Sequence, residues 1–172
     1  LDDRLLLDLV AHIAAFHAGA ETRRDSGDAA AMAALVMANT ASLRRAQIFP
    51  APEIAALFVR SDEVLKAISG LLDARREVGK VRRCHGDLHP ANTTLQDGNP
   101  VLFDAIEFDE GITAIDILYD LAFLIMDLCE RELPSHACRL LNRYLWLSND
   151  ESNEIDGLAL LPLFLSLRAA IR

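Results

Sequence analysis

One carboxylate between two histidines, followed by an asparagine, makes His85-Gly86-Asp87-Leu88-His89-Pro90-Ala91-Asn92 the segment of this chain best equipped for chemistry. A carboxylate such as Asp87 can orient a hydroxyl and take its proton, and an amide oxygen such as that of Asn92 can ligate a hard cation. Those are the demands of phosphoryl transfer: a proton acceptor, metal ions that neutralise phosphate oxygens, and accurate placement. The spacing of His85, Asp87 and Asn92 should arise by chance in about one chain in a hundred of this length, so it needs independent support. His85 completes the catalytic segment as a hydrogen-bonding brace rather than a proton carrier. His89 is open between loop support and ligation, and Gly86 lets the backbone pass close to a neighbour.

The support comes from the elements that follow. Two strand-like runs, Asn92 to Gln96 and Pro100 to Asp104, surround Asp97-Gly98-Asn99 and predict a hairpin. A turn centred on Gly98 sets Asn92 opposite Asp104, about 5 Å apart at Cβ, where both could hold one Mg²⁺ on the phosphates of ATP. The same register puts Thr93, Leu95, Val101 and Phe103 on the other face, which is then expected to be buried.

Around this β element the pattern is helical. Apolar residues recur at three- and four-residue steps from Arg4 to Ala18, with Gly19 placed to end the helix. An Ala-rich helix is predicted from Ala29 to Arg45, and Glu53 to Glu77 reads as one or two helices because Ser61 and Asp62 interrupt its apolar face. Val81 to Cys84 is a short strand, and Cys84 a small apolar filler at its end. Helices resume from Asp116 to Glu130, Ser135 to Leu147, and Ile155 to Arg172 with a kink or restart at Pro162. Capping suffices to explain Asp116, and His12, His17 and His136 lie within helices and are assigned no chemistry. The fold class is α+β, predominantly α, a helical bundle with a small hairpin inserted near its middle.

The 172 residues fit a single domain, residues 1–172, with 52% hydrophobic and 25% charged side chains, a globular composition. A formal net charge of −9 argues against a nucleic-acid partner. It does not argue against a nucleotide, because Mg²⁺ bridges acidic side chains to phosphates. The three cysteines form no CxxC pair and suit reduced thiols in a cytoplasmic protein. The longest apolar stretches, such as Leu158 to Leu167, are too short to span a bilayer, so no membrane partner is expected. The chain opens at Leu1 inside a helical pattern and is read as a segment of something longer.

Taken together, these residues resemble the aminoglycoside phosphotransferase and choline kinase-like superfamily, whose catalytic loop often reads H-G-D-x-H-x-x-N. The resemblance extends to Phe103-Asp104 after a hairpin, to Tyr119-Asp120-Leu121-Ala122 opening a helix, and to Ala14-Ala15-Phe16-His17. It implies the helical large lobe of a kinase-like fold and an ATP- and Mg²⁺-dependent kinase acting on a hydroxyl of a small molecule. It gives Asp120 a structural role, bonding the catalytic-loop backbone. Leu102 to Phe108, followed by Ile115-Asp116, is similar to an uncharacterised bacterial branch in which such a domain precedes a P-loop ATP-binding domain. Nothing before His85 resembles the phosphate-covering loop or nucleotide-binding Lys of the family's smaller N-terminal lobe, which is expected to lie outside this sequence. Glu107 competes with Asp104 as metal ligand if the alignment shifts. Two rival functions remain: a metallohydrolase using His85, Asp87 and His89, and a non-catalytic kinase-like module that regulates a neighbour.

Overall fold

The computed structural model describes residues 2–106, 109–148 and 154–171, without the side chains of Glu110 and Glu154. Helix α1 spans Asp3–Gly19; its N-terminus is capped by Asp2, whose carboxylate accepts from the Arg4 N–H, and it buries Leu6, Leu9, Val10, Ile13 and His17 along one stripe. Helix α2, Ala29–Ala46, is capped by Asp28 and ends at Gln47 in the left-handed conformation. Helix α3, Ala51–Glu77, runs unbroken through Ser61 and Asp62. Ser61 is buried on the packed face, so the polar residue is absorbed there and does not divide the helix.

Strand β1, Val81–Arg83, leads into the Asp87 loop and pairs antiparallel with β4, Ala114–Asp116, with Val81 opposite Asp116. The sequence pattern gives no sign of β4, since three residues are too few to show alternation and burial makes all three apolar or ion-paired. It is preceded by a short helix α4, Glu110–Thr113, and followed by α5, Ile117–Glu130, for which Asp116 is the N-cap. Every residue of α5 from Ile117 to Leu128 is buried, as expected of a helix at the centre of a helical layer. Helix α6, Pro134–Leu147, packs on α1 and α5. A 3₁₀ segment, Glu154–Leu160, gives way to α7, Leu161–Ile171, which packs on α5 and α2, so the restart expected at Pro162 falls at the second residue of that helix. No helix among the described residues is long and apolar enough to cross a membrane.

The hairpin forms, with a register different from the expected one. Strands β2, Thr93–Gln96, and β3, Asn99–Leu102, pair Thr93 with Leu102 and Gln96 with Asn99. The turn is therefore the two residues Asp97 and Gly98, both at positive φ (52° and 80°), which matches the right-handed twist of the strands and draws Asn99 into β3. The shift by one residue sets Asn92 against Phe103, whose N–H donates to the Asn92 carbonyl at 3.1 Å, and not against Asp104. It also exchanges the faces: Pro100 is buried, while Leu95 and Phe103 are 57% and 45% exposed.

Candidate active site

The loop after β1 is held from below by one carboxylate. Asp120, in the first turn of α5 and fully buried, accepts from the backbone N–H of His85 at 3.1 Å and of Gly86 at 3.0 Å. Its Oδ2 also meets His17 Nε2 at 3.1 Å, and His17 Nδ1 lies 2.7 Å from the Tyr144 hydroxyl. Burial alone would raise the Asp120 carboxyl, yet the hydrogen bond and charge of His17, with Arg168 and His85, outweigh it and hold the group below the ordinary carboxylate range. From α7, Arg168 donates Nη1 to the Gly86 carbonyl and Nε to the Tyr119 carbonyl, and its guanidinium stacks over the Tyr119 ring at 4.0 Å. Gly86 is thus gripped at both its N–H and its C=O. Its φ of +82° and the 3.2 Å approach of Thr113 to a would-be Cβ leave room for glycine alone.

Above that base, Asn92 turns its amide nitrogen to the Asp87 carbonyl and to Asp87 Oδ2, each at 3.0 Å. The amide oxygen therefore faces away and meets no donor among the described residues. His89 accepts from the Ala91 N–H through Nδ1 at 3.2 Å, which leaves the proton on Nε2, 3.4 Å from Asp87 Oδ2. Its ring edges against Phe123 at 5.3 Å. Two neighbours consequently fix the Asp87 carboxylate while it stays 39% exposed.

Asp104 is brought to the loop by backbone bonds on either side of it. His85 Nε2 donates to the Phe103 carbonyl at 2.9 Å, and the Ile106 N–H donates to the His85 carbonyl at 3.0 Å. Between these anchors Asp104 takes a left-handed φ of 59°, a conformation that Asp tolerates better than most residues. β3 has ended at Leu102, so strand alternation no longer governs where the Asp104 carboxylate is carried. The donor set suits a hard cation: the Asn92 amide oxygen and the exposed Asp104 carboxylate are oxygens without a hydrogen-bond donor among the described residues. Glu107, the competing ligand, lies outside the described residues.

The three-ligand site proposed from His85, Asp87 and His89 does not form. Their ligand atoms do not converge, and among the described residues the only such group of three is His17, Cys84 and Asp120. That buried cluster is used internally: both His17 nitrogens are bonded, the Cys84 thiol donates to the Ile115 carbonyl at 3.4 Å, and burial pushes the thiol well above its ordinary value. His17, Tyr144 and Arg168 are positioning residues that the sequence reading passed over. Two of the three left a faint signal. His17 continues the buried stripe one turn beyond Ile13, and Arg168 is the one charge between Leu158 and Ile171.

Asp87 and Gly86 form one edge of a cavity of about 730 Å³ whose walls come from Asp25 to Asp28, α2, α5, α7, Ile106, Gly111, Ile112 and β4. A mainly helical lobe with a hairpin beside an His-x-Asp loop, braced by a buried Asp from the next long helix, is a kinase-like arrangement. The chain belongs to the phosphotransferase enzyme family, whose sequence profile matches residues 1–158. Among curated proteins it is similar to the uncharacterized proteins Mb2027c of Mycobacterium bovis and Rv2004c of Mycobacterium tuberculosis. Each is 31% identical over 128 residues, covering 71% of this chain and 26% of the relative. The chain thus spans about a quarter of the length of these relatives. No solved structure matches.

Proposed function

We propose that the protein transfers the γ-phosphoryl group of ATP, in the presence of Mg²⁺, to a hydroxyl of a small molecule. The observation that carries this reading is the Asp87 carboxylate, oriented by Asn92 and His89 and standing at the edge of a cavity large enough for a small-molecule acceptor. Asp87 would accept the hydroxyl proton as the acceptor oxygen bonds to the γ-phosphorus and the bond from that phosphorus to the β-phosphate oxygen breaks. Asn92 and Asp104 would hold Mg²⁺, which when bound neutralises the phosphate oxygens. His85 ties the Asp104 segment to the loop, and Asp120 sets the loop's height by bonding its backbone.

We further assign the second wall of the nucleotide cleft, with its phosphate-covering loop, to a lobe outside this sequence, and the protein to the cytoplasm, where ATP is supplied. The family favours a phosphotransferase over a regulatory module, and the intact pairing of Asp87 with Asn92 supports the same choice. The test is transfer of label from γ-labelled ATP to a pooled set of small alcohols by the full-length protein, with Mg²⁺ and with EDTA. Label appearing in product only with Mg²⁺ supports the reading; ATP left intact across the pool overturns it.

A further inference from the structure

We infer that the acceptor is a neutral alcohol carrying an apolar body, and not a polycationic amino alcohol. This rests on the phosphotransferase reading and concerns the same cavity. Four carboxylates, Asp25, Asp28, Asp87 and Asp116, stand on its wall and at first sight suit a cation. Three of them are already matched by arginines. Asp25 takes Arg23 through two bonds of 3.1 and 3.2 Å, which hold its carboxyl below the ordinary range. Asp28 takes Arg76 at 3.0 Å while its other oxygen caps α2. Asp116 takes Arg75 through bonds of 2.7 and 2.9 Å in a buried, two-pronged pair.

Asp87 is the one lining carboxylate without an arginine or lysine partner among the described residues, and the reaction commits it to the acceptor hydroxyl. The guanidinium of Arg168 is a further wall element, buried and held in place by Gly86 and Tyr119. An acceptor bearing several ammonium groups would have to shed its water beside a guanidinium whose own carboxylate, Asp120 at 3.8 Å, is already committed, with no carboxylate but Asp87 left unpaired by an arginine among the described wall residues. The remaining wall is apolar, led by Met32, Leu35, Ile106, Ile112, Tyr119 and Phe123. Such a surface gains from burying hydrocarbon and leaves Asp87 as the carboxylate that finds the hydroxyl.

The experiment uses the full-length protein, γ-labelled ATP with Mg²⁺, and two probes: octyl β-glucoside below its micellar concentration as the neutral amphiphile, and neamine as the polycation. Binding of each is measured in parallel by calorimetry. The expected result is kcat/KM at least about tenfold higher for the neutral probe. In Leu35→Asp its KM should rise about tenfold with kcat little changed. In Arg76→Gln, which uncovers Asp28, neamine should bind more tightly than to the parent. Preferential labelling of neamine by the parent protein overturns the inference and leaves the phosphotransferase reading standing. Binding of the neutral probe without any label transfer upholds the chemistry of the cavity and sinks the phosphotransferase reading. If neither probe binds, the inference fails.

Discussion

His17 Nε2 lies 3.1 Å from Asp120 Oδ2, joining residues 103 positions apart in the chain. Through that carboxylate the end of α1 supports the backbone of the loop that carries Asp87, which Asp120 holds by two N–H groups. Removing the carboxylate by Asp120→Ala leaves those two backbone donors and His17 Nε2 buried without their acceptor. A loss of about 3–5 kcal/mol is expected, read from urea unfolding. His17→Ala removes the bonds to Asp120 and Tyr144 and opens a small cavity, but leaves Asp120 its two backbone donors, and should cost about half as much.

The same carboxylate gives stability a pH dependence of known sign. Its native pKa lies below the unfolded value, so it contributes stability above about pH 4, and that contribution is lost as pH falls through the native value. Asp120→Asn should therefore flatten the acid limb of a plot of unfolding free energy against pH. An unchanged acid limb would remove Asp120 from the titrating set.

Asp87→Asn keeps the size of the side chain and its bond from Asn92 while removing the carboxylate proposed to accept the proton. In the full-length protein, turnover should fall by about a hundredfold or more while nucleotide affinity stays near that of the parent. Turnover equal to the parent's would refute the assignment of the base.

Asp104→Ala should abolish the Mg²⁺-dependent part of nucleotide binding, measured by titrating nucleotide with and without the metal. Affinity that does not change would transfer the role to Glu107.

Gly86→Ala tests the grip on the loop. The added methyl meets a φ of +82° and side chains of Thr113 and Ile106 at 3.2 and 3.3 Å, so destabilisation of about 1–3 kcal/mol is expected. Activity should fall by more than stability explains, because relief of the clash moves Asp87 with its neighbour.

Local features are legible in the amino-acid pattern alone. Apolar periodicity placed the long helices to within a few residues, since one buried face per helix writes itself every three or four positions. The spacing of His85, Asp87 and Asn92 marked the loop, and Asp97-Gly98-Asn99 between two strand-like runs marked a hairpin. Features that depend on one residue of offset or on distant partners were set by packing in three dimensions. The hairpin register turned on whether Asn99 sits in the turn or in β3, a choice made by two positive φ angles, and that choice separated Asn92 from direct opposition to Asp104. The helix carrying His17 and the one carrying Arg168 show in the sequence only as an apolar stripe with one polar residue. That these two meet at Asp120 follows from packing, because a buried carboxylate must collect hydrogen-bond and charge partners from whichever elements surround it. The cavity shows the same division. Its acidic residues are legible in the sequence, and the Arg23–Asp25 pair is local, but the neutralisation of Asp116 and Asp28 by Arg75 and Arg76 depends on side chains delivered from α3, and it is this pairing that sets what the cavity can bind.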